Sequence, residues 1–176
     1  MYVNNEIGNI LDVESVSELC SRHNAFFHSD AVQAVGHFPI DLSSLKIDFL
    51  SSAGHKFHGP KGVGFTYINK STKIKSFICG GPQERGLRAG TESVHNIVGM
   101  TKALEIAINN LEKESEHIKS IKTYMIKKLN NLFPNIHYNG LSGNIEKSTY
   151  TVLNACFPLS NDKASMHDFH LDLNGI

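Results

Sequence analysis

The chain has 176 residues, 40% hydrophobic and 19% charged, a composition that supports one packed core and excludes a disordered, highly charged polypeptide. Lys and Arg number 17 and so do Asp and Glu, so the formal net charge is zero and the basic footprint of a nucleic-acid binder is absent. No apolar run reaches membrane-spanning length, and Met1-Tyr2-Val3-Asn4-Asn5-Glu6 lacks the basic start and apolar stretch of a secretion signal.

Residues 1–80 alternate short apolar runs with helical stretches. Val13 to Leu19 has helical spacing, with Asp12 placed as an N-cap. Ala25-Phe26-Phe27-His28 is a short apolar run ending on Ser29-Asp30, and Ile47-Asp48-Phe49-Leu50 is another ending on Ser51-Ser52. Gly62 to Ile68 reads as a further strand. Strand, helix and strand in succession predict an α/β fold with a central, mostly parallel sheet, and in such sheets chemistry gathers at the carboxyl ends of the strands. Residues 80–92 form a polar, Gly-rich loop. From Val94 to about Leu132 the apolar spacing is helical, too long for one plain globular helix, so two helices or one bent helix are expected, closed by Pro134. A strand over Tyr150–Phe157 and a helix from about Ala164 to Leu173 follow. Residues 1–112 are expected to be part of a large domain and residues 113–176 part of a smaller α+β domain.

The chain starts at once on a strand-like Tyr2-Val3 and stops at Asn174-Gly175-Ile176 without a tail, which predicts a piece of a longer protein. Cys20, Cys79 and Cys156 are odd in number, widely spaced and form no Cys-x-x-Cys pair, so neither a disulfide framework nor a zinc knuckle is expected. A reducing cytoplasm suits this pattern. All three read as buried structural cysteines.

Chemistry concentrates around Ser51-Ser52-Ala53-Gly54-His55-Lys56. A lysine that forms an imine attacks only as the neutral amine, so burial and the positive neighbours His55 and Lys61 are expected to disfavour its charge. A lysine alone is usually a surface residue, and a strand-end aspartate alone is usually a turn or cap. Asp30 nevertheless ends a strand that a parallel sheet would bring beside Lys56. Gln33 follows three residues later, and Asn5 closes another strand-like segment. A carboxylate beside a pyridine nitrogen keeps that nitrogen protonated, which is what a pyridoxal-phosphate (PLP) ring needs to act as an electron sink. A metal site using His28, Asp30, His55 and His58 is the competing reading, disfavoured because Lys56 and Gln33 would then have no role.

Asn4-Asn5-Glu6-Ile7-Gly8, the run from His28 to Gly36, the run from Gly54 to Gly62 and the run from Glu84 to Thr91, in this order and spacing, resemble the cysteine desulfurases of the NifS/IscS type. These are class-V aminotransferase-like enzymes of PLP fold type I, and the likeness is specific to about residue 112 and looser beyond. The resemblance implies that Lys56 binds PLP covalently and is the catalytic residue. It implies further that Asp30 pairs with the ring nitrogen, Gln33 meets the phenolic oxygen, His55 helps hold the phosphate and Asn5 sits by the ring. Thr91 would reach the phosphate of a partner subunit across a homodimer interface lined by Arg85 and Arg88. L-cysteine would be the substrate and an iron–sulfur scaffold protein a sulfur acceptor.

Two positions depart from the family's pattern. Ala53 stands where many members have serine, so the phosphate loses one donor or Ser52 supplies it. Pro82 stands where a third glycine is common and stiffens the loop. The family's reactive cysteine, its substrate-binding arginine and its N-terminal phosphate loop have no counterpart among these residues. That leaves two other expectations open: a related class-V aminotransferase or selenocysteine lyase, and a catalytically inactive piece serving as a dimerisation scaffold.

Overall fold

The computed structural model describes residues 1–176, apart from the side chains of Asn161 and Asp162. The backbone forms two compact units, Met1–Asn5 with Ile10–His117, and Glu6–Asn9 with Ile118–Ile176.

In the first unit, helix α1 (Val13–Arg22) starts where Asp12 accepts the Ser15 N–H at 3.0 Å. Glu14 in its first turn and Arg22 in its last suit the helix dipole. Strands β1 (His28–Asp30), β2 (Phe49–Ala53) and β3 (Gly64–Ile68) form one sheet in that order. β1 pairs with β2 in parallel, and β2 with β3 antiparallel. The sheet is therefore mixed. The return from β2 to β3 runs through residues 54–63, too short for the crossover that a parallel pair requires. Ile47, Leu50 and Phe57 are 1–2% exposed and form the centre of the core with Val3, Val13, Ala31 and Met100. Burying each of the three large side chains contributes on the order of 2 kcal/mol.

Helix α2 (Val94–Leu132) is one uninterrupted element of 39 residues, so the two-helix alternative does not hold. Neither Gly nor Pro occurs between Met100 and Leu132, and Pro134 follows the end as expected. Residues 94–117 belong to the first unit and 118–132 to the second. Near its start a Cβ on Gly99 would lie 2.9 Å from Pro60 Cγ, so the glycine lets the return from β2 pack directly on the helix. No helix among the described residues is long and apolar enough to cross a membrane.

The second unit holds a two-stranded antiparallel ladder, β4 (His137–Tyr138) with β5 (Ala155–Cys156), and the short helices α3 (Asn161–Ala164) and α4 (His167–Leu173). The strand expected over Tyr150–Phe157 contracts to two residues, because its ladder partner β4 is itself only two residues long. Residues 6–9 pair here: Thr149 N donates to Gly8 O at 2.8 Å and Leu141 N to Asn9 Oδ1 at 2.7 Å. Lys122 is 5% exposed, and its ammonium donates to Ser148 Oγ at 2.9 Å and to Thr149 O at 2.7 Å. Burial holds its pKa below the ordinary lysine value.

Candidate active site

In the β1–β2 pair Asp30 stands opposite Ser51 and Ser29 opposite Leu50. Alternation along the strands puts His28, Asp30, Ser51 and Ala53 on one face, and Ser29, Leu50 and Ser52 on the other. His28 Nε2 lies 2.7 Å from Ser51 Oγ and ties the two strands on the Asp30 face. Ser52 is buried on the opposite face and its hydroxyl has no hydrogen-bond partner. Of the two readings of Ala53, the structure favours the loss of one donor, since Ser52 points away.

Asp30 ends β1 half-buried. Its Oδ1 accepts the Val32 N–H at 3.0 Å, turning the chain into the segment that carries Gln33. Ala31 N then donates to Ser51 O at 2.8 Å, so this turn stays attached to the end of β2. Five residues beyond Ser51, Lys56 sits half-buried in a single 3-10 turn, Gly54–Phe57, which ends on His58 with φ 65°. Gly54 N donates to Val63 O at 2.9 Å and closes the base of the arch that carries the lysine. His55 and Lys61 are exposed on it.

Among the described residues, Asp30 Oδ2, the Gln33 amide and Lys56 Nζ have no hydrogen-bond or ion-pair partner. A carboxylate oxygen, an amide and a primary amine thus stand unpartnered at the adjoining carboxyl ends of two parallel strands. That donor and acceptor set is chemically compatible with PLP, which carries a basic ring nitrogen, a phenolic oxygen and an aldehyde. Asn5 is exposed, three residues past Tyr2, whose N–H donates to Asp30 O at 2.7 Å. Thr91 is exposed and makes no hydrogen bond to any of the other candidates. It follows a loop in which Glu84 and Arg85 take left-handed backbone angles, φ 47° and 57°, and Arg88 donates to Ala89 O at 2.7 Å.

Two of the grooves on the first unit are lined by none of Asn5, Asp30, Gln33, Lys56 or Thr91. One of about 330 Å³ runs between Phe57, His58 and the Gly99–Ala107 stretch of α2. The other, about 500 Å³, lies at the opposite end of β2 near Cys20, Phe26 and Asp48.

The cysteines depart from expectation. Cys20 is half-buried, but Cys79 and Cys156 are exposed. Cys79 lies in an irregular segment outside the core, beside Phe77 at 97% exposure, and Cys156 is on the outer side of the short β5. One residue that the sequence did not single out touches the lysine's turn: His37 Nε2 lies 3.0 Å from Lys56 O. No sequence pattern signals it, because the acceptor is a backbone atom.

The family described as aminotransferase class-V matches residues 1–168. A cysteine desulfurase IscS of Dictyoglomus turgidum is 40% identical over 176 residues, all of this chain and 43% of that protein. The chain thus spans about two fifths of the length of the curated relatives it matches. Among solved structures, a NifS-like protein is 41% identical with TM-score 0.82, covering 90% of this chain and 42% of its own. The structure of SspA in complex with cysteine is 29% identical with TM-score 0.73, covering 96% of this chain and 45% of its own.

Proposed function

The chain belongs to the class-V aminotransferase family, whose members depend on pyridoxal phosphate, and from that premise we propose that the protein is a cysteine desulfurase. It would release sulfur from L-cysteine, leaving alanine and a persulfide on an enzyme cysteine. The observation that carries this reading is the unpartnered trio of Asp30, Gln33 and Lys56 at the ends of β1 and β2. The likeness to a protein solved with cysteine bound favours that substrate over other amino acids.

Bound PLP supplies an electron sink that stabilises negative charge developing on the substrate. In this reading Asp30 holds the proton on the ring nitrogen through its free Oδ2. Gln33 donates its amide N–H to the phenolic oxygen. Lys56 would hold the cofactor, and its amine, whenever free, would move protons to and from the bound substrate. His55 and Asn5 bind the phosphate and flank the ring. Thr91 would serve the phosphate of a second subunit, which makes a homodimer part of the proposal. None of Cys20, Cys79 and Cys156 matches a catalytic position of the family the chain resembles, so the sulfur-accepting cysteine is proposed to lie in the part of the relatives' length that this chain does not span. An iron–sulfur scaffold protein as acceptor and a cytoplasmic setting complete the reading.

The chain is to be incubated with PLP, reduced with borohydride and digested. A pyridoxyl group on Lys56 is the expected result, and label elsewhere or none overturns the cofactor reading. Sulfide release from cysteine by a protein that includes the cysteine proposed above supports the desulfurase, and robust release by these 176 residues alone would overturn the placement of that cysteine. Amino transfer to a 2-oxo acid without sulfide would favour the aminotransferase alternative, and preference for selenocysteine the lyase.

A further inference from the structure

The segment that leaves Asp30 returns to the Lys56 turn at two successive residues. Gly36 has φ 81°, and a Cβ there would fall 2.7 Å from Phe57 Cβ, so only glycine allows this approach. His37 then brings Nε2 to 3.0 Å from the Lys56 carbonyl. A carbonyl oxygen can only accept, so Nε2 carries the proton and donates. A one-turn helix leaves its last carbonyls without partners inside the turn. At Lys56 an imidazole from the Asp30 side takes that place.

We propose that His37 is a positioning residue for Lys56: its ring clamps the lysine's own carbonyl to the segment that begins with Asp30 and Gln33. The three groups that address one cofactor ring are thereby held on a single rigid connection. Asp30 is fixed at one end through Val32 N and the Ala31–Ser51 bond, and Lys56 at the other through His37. The lysine side chain pivots on its Cα, so a turn released at its carbonyl spreads the amine over a larger volume and loses pre-organisation. The inference rests on the PLP reading above and extends it to a residue that touches neither cofactor nor substrate.

The test compares His37→Phe, which keeps a ring and removes the donor, with His37→Gln, whose amide restores a donor at similar reach. Two measurements are made on the full chain: PLP affinity, followed by the visible absorbance of the bound cofactor and by borohydride labelling of Lys56, and amide hydrogen exchange across residues 54–59. His37→Phe is expected to weaken PLP binding roughly three- to tenfold, the range for one lost hydrogen bond. It also speeds exchange in residues 54–59 while leaving α1 and β3 unchanged, and His37→Gln recovers most of both effects. Wild-type behaviour of His37→Phe, or equal failure of the two variants with exchange raised throughout the unit, overturns the proposal. If wild-type chain takes no label at Lys56, the cofactor reading falls with it, and the exchange comparison still decides whether the clamp exists.

Discussion

Two lysines in this chain show how one side chain is put to opposite uses. Lys122 is 5% exposed and its ammonium is engaged by Ser148 Oγ and Thr149 O, with no carboxylate beside it among the described residues. Lys56 is half-buried and its amine has no partner, while its backbone is held at the carbonyl by His37 and at the base of its arch by Gly54 and Val63. The first has committed two of its three ammonium donors to structure. The second keeps its reactive atom free and is fixed through the main chain alone. Burial alone would point to Lys122; the half-buried Lys56, unpartnered and just past the end of β2, is the one the proposal uses.

The sharpest way to break this contrast is to remove each lysine in turn. Lys56→Ala is expected to abolish the borohydride-fixed pyridoxyl label and to leave stability within about 0.5 kcal/mol, as for other side chains without partners. Persistence of the label on another residue, or a large fall in the denaturation midpoint, would erase the distinction. Lys122→Ala should do the reverse. It retains labelling at Lys56 and costs roughly 2–4 kcal/mol in chemical denaturation, because a cavity opens and the Thr149 carbonyl loses its donor.

A smaller effect lies in pH. The folded-state pKa of Lys122 is lowered by burial, so the native chain gives up this proton before the unfolded chain does. The unfolded state then binds more protons in the window below the ordinary lysine value of about 10.5, and stability from this group rises with pH across it. Tyr2 and Tyr138, both raised by burial, oppose this near and above pH 10. Wild type minus Lys122→Met isolates the lysine, and the difference should shift in favour of wild type as pH rises. A flat difference would show that the ammonium is as well solvated by its two partners as by water.

Much of the first unit is legible in the sequence. The Asp12 cap, the two apolar runs ending on Asp30 and Ser51-Ser52, and the Gly-His-Lys after them announce α1, the parallel pair and the lysine, because local signals and tertiary contacts agree there. The second unit reads less well. Thr151-Val152-Leu153-Asn154-Ala155-Cys156-Phe157 has strand-like composition, yet only Ala155 and Cys156 find a ladder partner, since pairing depends on a neighbour the run does not encode. The length of α2 left two helices or one bent helix open, and the single element is the alternative realised, since no glycine or proline past Met100 supplies a break. Lys122 and His37 are invisible in the sequence because each meets a backbone carbonyl brought near by the fold.

The arch from Gly54 to Val63 has a further consequence, in the order of folding. It joins the antiparallel neighbours β2 and β3, where Ala53 faces Gly64, and such a local hairpin can close early at little entropic cost. The partnership of Asp30 with Ser51 is parallel, spans the intervening chain and must wait for a longer loop to close. The lysine's turn is therefore expected to form before the aspartate docks, and pulsed amide exchange during refolding should show protection at residues 54–68 ahead of residues 28–30. If the chain takes PLP as proposed, that binding would come late in refolding and report on the formation of the β1–β2 pair.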